Sequence, residues 1–430
     1  MQKKRMDGSS WDVLVVGGGP AGLVAAVQAG RMGARALLVE KNGMLGGTTT
    51  VAGVNFPGLF HAWGKQVIAG IGWEIVEKSI RESGLKLQDF TIPFEDGCHP
   101  QHHVFINGAI YAMLCDEAVV ASGCELLLHA MPAAVKRSGT NWQVSLATKS
   151  GLQTVTATVL VDCTGDANLA ALAGAKQVVP DTLQPATLSC RASGYDLAAL
   201  DMEALNKAFR AAIAEGRLQA EDACWNIQAP TLRWVQKAGR NASHTTCFDA
   251  QSSEGKTQLE LDARKSLLRV YRFLRGLPGL QNLQIDWLCV ECGMRESVTI
   301  VGEKTITHAD YVGGRQWEDA VCYSYYPIDL HQSEQSGLDL RYLAQGVVPT
   351  IPLGALLPAG VEGLLVAGRC VSSDRLANSA LRTQPSCMAM GQAAGAAAVL
   401  AARSGLSLRQ VPLKQIHDAL RQQGAIVPNE

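Results

Sequence analysis

The chain has 430 residues, of which 47% are hydrophobic and 18% charged, and its formal net charge is −1. This composition is ordinary for a globular protein and excludes the basic excess of proteins that bind nucleic acid or anionic membranes. No stretch reaches the roughly 18 uninterrupted apolar residues of a membrane span, and the charged start lacks the apolar segment of a signal peptide. We therefore expect a soluble cytoplasmic protein of two or three domains, with reduced cysteines.

A strand, a glycine-rich turn, a helix and a second strand open the chain in "DVLVVGGGPAGLVAAVQAGRMGARALLVEK" (12–41). Gly17, Gly19 and Gly22 follow the G-x-G-x-x-G pattern, which allows a tight turn, a close approach of a pyrophosphate and close packing of helix on strand. The second strand ends in Glu40, 18 residues beyond Gly22, where a carboxylate can bind ribose hydroxyls. A glycine-rich turn alone would be weak evidence, but the order and spacing of strand, turn, helix, strand and acidic residue predict a dinucleotide-binding site.

A second glycine-rich loop, "KNGMLGGTTTVAGVNF" (41–56), follows the acidic residue and carries three threonines in a row. An NAD-binding domain would usually continue into its next crossover helix. A loop rich in exposed amides and hydroxyls suits a ligand that extends past the pyrophosphate, as FAD does through its ribityl chain and flavin ring. The sequence therefore favours FAD.

The middle of the chain returns to the same sheet and then leaves it. We predict helices at 66–80 and 109–121. After "CELLLHA" (124–130) we predict paired strands at 132–137 and 142–148, and then a buried strand in "TATVLVDCTGDANLAALAGA" (156–175). Its Thr164-Gly165-Asp166 turn can lie over a cofactor. From about residue 184 the pattern changes to an alternating strand, with helices near 200–215 and 256–276. The predicted fold is α/β, with a Rossmann-like FAD-binding domain (1–180 and 350–430), a mostly parallel sheet and an inserted α+β substrate domain (181–349).

The final strand, predicted at 363–367, ends in Gly368-Arg369, and we expect these residues to face the cofactor. The helix after it has Pro385 at a plausible first position, with Thr383 or Gln384 as its cap. A helix N-terminus carries about half a positive charge, so at the flavin it would favour the anionic reduced form.

These motifs resemble those of the FAD-dependent oxidoreductase family, within the glutathione-reductase-like flavoproteins. The resemblance runs nearly end to end through "DVLVVGGGPAG", "LVEKNGMLGGTTT", "VDCTGDANLAALAGA", "RESVTIVGE", "YPIDLH", "LLVAGRCVSS" and "LRTQPSCMAMGQAAGAAA". It implies that the final helix approaches the pyrimidine edge of the flavin and that the strand before it approaches the ribityl chain. Two positions depart from the wider class. Arg369 stands where many relatives have an acid, so it would donate to ribityl or pyrophosphate oxygens, and Pro132 would offer the adenine only its carbonyl.

The expected cofactor is FAD, and no metal is expected. The residues predicted to bind FAD lie in the two glycine-rich loops, the adenine strand, the Thr-Gly-Asp turn and the start of the final helix. They are Gly17, Gly19, Pro20, Ala21, Gly22, Glu40, Lys41, Gly46, Gly47, Thr48, Thr49, Pro132, Thr164, Gly165, Asp166, Gly368, Arg369, Pro385, Ser386 and Cys387. No second G-x-G-x-x-G motif follows, so a dedicated NAD(P)H domain is not expected.

Two cysteine- or histidine-containing motifs are better explained as structural. Cys289 and Cys292 form the closest cysteine pair, but they lie far from the N-terminal flavin loop where disulfide reductases of this class carry their redox pair. "CHPQHH" (98–103) has the spacing of metal ligands, yet its proline and odd ligand set favour a polar loop.

The catalytic candidates are polar residues expected near the flavin. They are His331, Arg295, Glu296, His61 and Arg382, with Asp329 and Asn378 beside them. An arginine suits a substrate carboxylate, and a histidine suits proton abstraction beside hydride transfer. Alternatively, Arg295 and Glu296 form an interdomain ion pair and His331 is a hydrogen-bonded loop histidine.

The function predicted from these residues is that of a soluble oxidoreductase. It would move a hydride between flavin N5 and a small polar metabolite that bears a carboxylate or a hydroxyl. The alternative is a flavin-bearing electron-transfer subunit or binding protein that needs a partner. The expected partner is a small-molecule substrate, and no nucleic-acid or membrane partner is expected. Whether the chain forms a homo-oligomer or uses an electron-acceptor partner is left open. The sequence leaves the substrate, the bond oxidised and any covalent link to FAD undetermined.

Overall fold

The computed structural model describes residues 6–92, 95, 98–224, 226, 228–332 and 337–428. Its strands are β1 (Ser10–Val16), β2 (Ala36–Val39), β3 (His61–Ala62), β4 (Lys65–Gln66), β5 (Glu125–Leu127), β6 (Met131–Ser138), β7 (Asn141–Thr148), β8 (Gly151–Asp162), β9 (Gln177–Val178), β10 (Cys190–Ser193), β11 (Gln284–Leu288), β12 (Thr299–Ile300), β13 (Ala320–Tyr323), β14 (Ile328–His331), β15 (Leu338–Arg341), β16 (Thr350–Pro352) and β17 (Leu364–Val366). Its α-helices are α1 (Pro20–Arg31), α2 (Ile71–Glu82), α3 (Gly108–Ala121), α4 (Asn168–Leu172), α5 (Met202–Ala214), α6 (Pro230–Gln236), α7 (Ser253–Arg275), α8 (His308–Val312), α9 (Arg375–Leu381), α10 (Gln384–Ser404) and α11 (Leu413–Gln422).

The central sheet has the strand order β5-β2-β1-β8-β7-β6, and β17 pairs with the C-terminal part of β8. Strands β5, β2, β1, β8 and β17 run parallel, while β6, β7 and β8 form an antiparallel meander. The C-terminal half of β1 is buried on both faces, as expected where helices cover a parallel sheet. The fold is therefore α/β with a Rossmann-type, mostly parallel sheet.

Helix α10 packs directly on α1, and two glycines of α10 allow the helices to approach closely. A Cβ atom at Gly391 would lie 2.0 Å from the carbonyl oxygen of Ala21, and one at Gly395 would lie 2.5 Å from that of Ala25. Of the described helices, α10 is long and apolar enough to cross a membrane, but 83% of its most apolar window is buried inside the protein. Its burial is that of a core helix.

The hydrophobic side chains divide into separate cores. Those between residues 183 and 294, around α5 and α7, form a core of their own. The residues from 306 to 357, including the fully buried Tyr311, pack in the same core as α1 and α10. The limits predicted above for the inserted domain stay a prediction.

The predicted elements agree with the structure except at their ends. Helix α2 begins at Ile71, five residues later than predicted, because Gly70 with φ 88° precedes it and Lys65–Gln66 form a short strand. Helix α7 begins earlier than predicted, at Ser253, because Ser252 caps it by accepting a hydrogen bond from the Gly255 amide. Capping side chains and positive-φ glycines thus set the helix ends, which the hydrophobic periodicity of the sequence does not determine.

Candidate functional site

The first glycine-rich turn follows β1 at the C-terminal edge of the sheet. Gly17 has φ 99°, and a Cβ there would lie 2.4 Å from the carbonyl oxygen of Cys163. At Gly22 a Cβ would come within 1.7 Å of the Gly17 carbonyl oxygen. At Gly19, in contrast, the nearest atom that a Cβ would meet is the Gly47 Cα at 4.0 Å. The turn is thus tightly packed at its two ends and open at Gly19, the position where a pyrophosphate approaches the backbone.

Glu40, at the end of β2, is held by backbone amides. Its Oε2 accepts from the Gly18 N–H at 2.6 Å and its Oε1 accepts from the Asn42 N–H at 2.8 Å. The carboxylate is only 6% exposed and borders the main cavity. Each oxygen keeps a further lone pair, so the fixed carboxylate can also accept from ribose hydroxyls. The next residue, Lys41, pairs with Glu291 at 2.5 Å.

A cavity of about 1070 Å³ runs along this edge of the sheet. Ligand pockets usually measure about 300–1,000 Å³, so the cavity has room for a long dinucleotide and a small substrate. Most of the residues predicted to bind the cofactor border it: Gly17, Gly19, Pro20, Ala21, Glu40, Lys41, Gly47, Thr48, Pro132, Thr164, Gly165, Asp166, Gly368, Arg369 and Cys387. The open glycine turn, the fixed carboxylate and the volume of the cavity together fit FAD.

Five predicted cofactor residues lie behind the cavity wall; they are Gly22, Gly46, Thr49, Pro385 and Ser386. Thr49 nevertheless supports the wall, because its hydroxyl donates to Gln384 Oε1 at 2.5 Å. The amide of Gln384 in turn donates to the Val54 carbonyl at 3.0 Å. The threonine loop is therefore tied to the N-terminus of α10, which borders the cavity through Thr383, Gln384 and Cys387.

The turn after β8 is shaped by Asp162. This fully buried carboxylate accepts from the amide and the hydroxyl of Thr164 at 2.9 and 2.7 Å and from the Ala170 amide at 2.8 Å. Burial raises the pKa of Asp162, although these hydrogen bonds oppose the rise. The bonds hold the turn where Thr164 borders the cavity.

Arg369 lies beside this turn, but its guanidinium is directed largely at the protein. It donates to the Gly165 carbonyl at 2.9 Å and to the Met294 carbonyl at 2.7 Å, and it pairs with Asp166. Burial would raise the pKa of Asp166, but Arg369 and Lys256 together lower it. Arg369 thus joins the sheet edge to the segment that contains Met294, and its contact with ribityl or pyrophosphate oxygens stays a prediction.

Four polar side chains that border the cavity form a charged cluster, which we call the substrate end: Arg295, Asp329, His331 and Arg382. Arg382 Nη2 donates to the backbone carbonyl of Asp329 at 2.9 Å and lies 3.4 Å from its carboxylate. Arg295 is 8% exposed and donates to the Pro185 carbonyl at 2.6 Å. His331 Nε2 lies 3.5 Å from Asp329 Oδ1. The structure therefore brings together three of the predicted catalytic residues.

Burial and the charges within this cluster determine the pKa of His331 and of Asp329. Burial and the nearby Arg295 lower the pKa of His331 to about 4, although Asp329 opposes them. Burial would raise the pKa of Asp329, but the hydrogen bond and charge of His331 and the charges of Arg382 and Arg295 lower it overall. At neutral pH the cluster holds a neutral imidazole, a carboxylate and two guanidiniums, and its net charge is one positive.

The other predicted catalytic residues lie away from the cavity wall. The ring of His61 stacks on Phe90 at 4.0 Å, and burial lowers its pKa to about 4. Glu296 is an ion-pair residue, because it binds Arg375 through Nε and Nη2 and also accepts from the Gln184 amide. The interpretation of Glu296 as an ion-pair residue therefore matches its contacts, but the partner is Arg375 and not Arg295. Asn378 supports the strand end by donating to the Arg369 carbonyl at 2.8 Å.

Sequence reasoning missed three residues at this end of the cavity. His244 Nε2 lies 2.9 Å from His331 Nδ1, and nothing in the sequence signals a contact between positions so far apart. Phe56 and Tyr326 also border the cavity. Tyr326 could have been found, because it precedes Asp329 by three residues in "YYPIDLH".

The fold and this cavity define a dinucleotide-binding flavoprotein. Residues 12–420 match the FAD dependent oxidoreductase family, and the chain belongs to it. FAD is therefore the cofactor of this chain.

Similarity to individual proteins is short or distant. Over 53 residues the chain is 49% identical to dihydrolipoyl dehydrogenase of Trypanosoma brucei brucei, a match that covers 12% of this chain and 11% of that enzyme. Over 37 residues it is 57% identical to the mitochondrial dihydrolipoyl dehydrogenase of Dictyostelium discoideum, covering 9% and 8%. The match thus spans about a tenth of the length of these relatives.

Among solved structures, the chain is similar to OxyS anhydrotetracycline hydroxylase from Streptomyces rimosus. The identity is 13% and the TM-score 0.46, over 96% of this chain and 66% of that one. A geranylgeranyl bacteriochlorophyll reductase-like protein of Thermoplasma acidophilum is 12% identical, with a TM-score of 0.43, over 96% and 83%.

Proposed function

We propose that the chain moves a hydride between FAD and a small anionic metabolite, bound at the end of the cavity that carries Arg295, Arg382 and His331. The partner we propose is a small molecule, neither a nucleic acid nor a membrane. The substrate bears a carboxylate, and it carries a hydroxyl or a similar group that loses a proton when the molecule is oxidised.

The observation that supports this proposal most directly is the net positive charge of the cluster. Two guanidiniums face one carboxylate, so a second carboxylate, brought by the substrate, would balance the charge. Within the described part of the chain, Arg382 Nε is buried and has no hydrogen-bond partner. A buried donor without a partner costs about 1–3 kcal/mol, so a small shift of the Arg382 side chain that brought Nε to a ligand oxygen would recover this cost. Arginine is also the side chain whose planar fork matches a carboxylate best.

His331 is the group that we propose accepts the proton. Its lowered pKa keeps the ring neutral at physiological pH, and a neutral imidazole can act as a base. Its Nε2 lies towards Asp329, whose carboxylate would stabilise the imidazolium that forms. Its acceptor nitrogen is then Nδ1, which lies 2.9 Å from His244 Nε2, so the substrate proton would reach His331 through His244. FAD, when bound, supplies the hydride acceptor or donor.

Anaerobic mixing of the purified yellow protein with a panel of small metabolites tests the proposal. We expect that one or more hydroxy or amino carboxylates bleach the flavin absorbance without any added protein. The matched uncharged amides or esters should bleach it far more slowly, because they lack the charge that the arginines bind. If the flavin is reduced only in the presence of a second redox protein, the chain is an electron-transfer subunit and the proposal fails.

A further inference from the structure

The substrate end of the cavity has an aromatic wall beside its charged cluster. Phe56 and Tyr326 both border the cavity, and the ring of His103 lies against both. The His103 ring is 5.4 Å from Phe56 at an interplanar angle of 14°, and 6.2 Å from Tyr326 at 13°. The three rings are therefore nearly parallel, and the two that border the cavity, Phe56 and Tyr326, are called the aromatic wall.

This wall is fixed before a ligand arrives. Tyr311 is fully buried, and its hydroxyl donates to the Tyr326 carbonyl and accepts from the Tyr326 amide, both at 3.0 Å. The hydroxyl of Tyr326 lies 3.3 Å from His103 Nε2, so its polar group is already engaged by the protein. Tyr326 thus offers a ligand its ring and not its hydroxyl. A surface that is rigid beforehand loses little conformational entropy on binding.

The aromatic wall and the charged cluster are close neighbours. Tyr326 comes three residues before Asp329, in the segment that leads into β14 and ends at His331. The charges of Asp329 and Arg382 both act on the phenol of Tyr326. One end of the cavity therefore combines flat apolar surface with two guanidiniums within the reach of a single small molecule.

We propose that the substrate is an aromatic carboxylate, with its ring against Phe56 and Tyr326 and its carboxylate towards Arg295 and Arg382. This proposal rests on the function proposed above and narrows its substrate class. An aliphatic hydroxy acid would fill the charged end and leave the aromatic wall uncovered. Aromatic rings stack on one another with an attraction beyond that of simple area burial, so the wall favours a flat ring over a saturated one.

Titration of the FAD-loaded protein with three carboxylates tests the proposal, with the flavin absorbance spectrum as the readout. The probes are benzoate, cyclohexanecarboxylate and acetate. We expect benzoate to bind roughly 2- to 12-fold more tightly than cyclohexanecarboxylate, the range that corresponds to aromatic pairing. Acetate should bind about 10- to 150-fold more weakly than benzoate, because it buries no ring.

Phe56→Leu should bring the affinity for benzoate close to that for cyclohexanecarboxylate. The control is Phe105→Leu, which removes a neighbouring ring that is 51% exposed and lies outside the cavity wall. It should leave the benzoate preference intact. Equal binding of benzoate and cyclohexanecarboxylate by the unmodified protein would overturn the aromatic substrate class but leave the proposed function standing.

Two other outcomes separate the proposals further. If Phe56→Leu weakens FAD binding or shifts the flavin spectrum without any carboxylate, the ring serves the cofactor and the aromatic proposal is overturned. If none of the three carboxylates perturbs the flavin, or if their binding is unaffected by Arg295→Ala, the proposed carboxylate site itself fails.

Discussion

Replacing Arg295 with alanine is expected to weaken substrate binding with little effect on the fastest rate of flavin reduction. Arg295 is only 8% exposed, so its contact with a carboxylate is largely shielded from water. Truncating such a buried charged partner costs about 2–4 kcal/mol, which corresponds to an affinity about 30- to 900-fold lower. Anaerobic stopped-flow reduction at a series of substrate concentrations measures the dissociation constant and the limiting rate separately.

The control is Arg217→Ala, in the same part of the chain. Arg217 is an exposed arginine that pairs with Glu215, and an exposed pair of this kind contributes about 0–1 kcal/mol. The control should therefore keep the affinity of the unmodified protein. An unchanged dissociation constant in Arg295→Ala, with FAD bound and the fold intact, would refute the assignment of Arg295 to the substrate carboxylate.

Arg295→Ala should also change the pH dependence of the limiting rate. Burial is the largest cause that lowers the pKa of His331 to about 4, and the charge of Arg295 is the second largest. Only neutral His331 accepts a proton, so the rate should fall as the pH drops through that pKa. Without Arg295 the pKa rises, and the acidic fall in rate should move to higher pH. A fall at the same pH in both proteins would show that His331 is not the titrating base.

The remaining predictions concern the base, the cofactor and the cysteine pair. His331→Ala should slow flavin reduction about 10²- to 10⁴-fold at saturating substrate without altering the FAD spectrum, which stopped-flow absorbance measures. The protein should purify with FAD, not with FMN, and Gly19→Val should yield colourless or unstable protein; chromatography that finds FMN alone after denaturation would contradict this. Replacing Cys289 and Cys292 with serine should leave at least a third of the turnover, because both are free thiols and burial raises the pKa of Cys289 to about 11. A loss beyond tenfold with FAD retained would revive a redox role.

The dinucleotide end of the site could be predicted because its contacts are short in sequence. Gly17, Gly22 and Glu40 belong to one βαβ unit, and their spacing follows from how a strand, a turn and a helix pack. Gly17 lies against Gly22, and Glu40 binds the amide of Gly18, so the residues of this motif contact one another. The strand before α10 was predictable for a similar reason, since its apolar run and the following Gly368-Arg369 mark the end of a buried strand.

The substrate end depends on contacts between distant segments, which no local pattern records. Arg369 borders the cavity, as its place after the last strand predicts, but its ion pair with Asp166, about two hundred residues earlier, could not be read from the sequence. His61 follows the threonine loop closely in sequence, yet its ring turns away to stack on Phe90. His244 could not have been chosen, because only the fold places it against His331. Residue type indicated which chemistry was available, and tertiary packing decided which side chains reached the cavity.

The most direct test of hydride transfer uses the substrate found by anaerobic bleaching, labelled with deuterium at the carbon that is oxidised. If a hydride passes to the flavin, that C–H bond breaks as the flavin is reduced and His331 takes the proton. The limiting rate of anaerobic flavin reduction should therefore be several-fold slower with the labelled substrate, and it should not require any other protein. Reduction that is equally fast with both substrates at every pH, or that needs a redox partner, would contradict hydride transfer at this site.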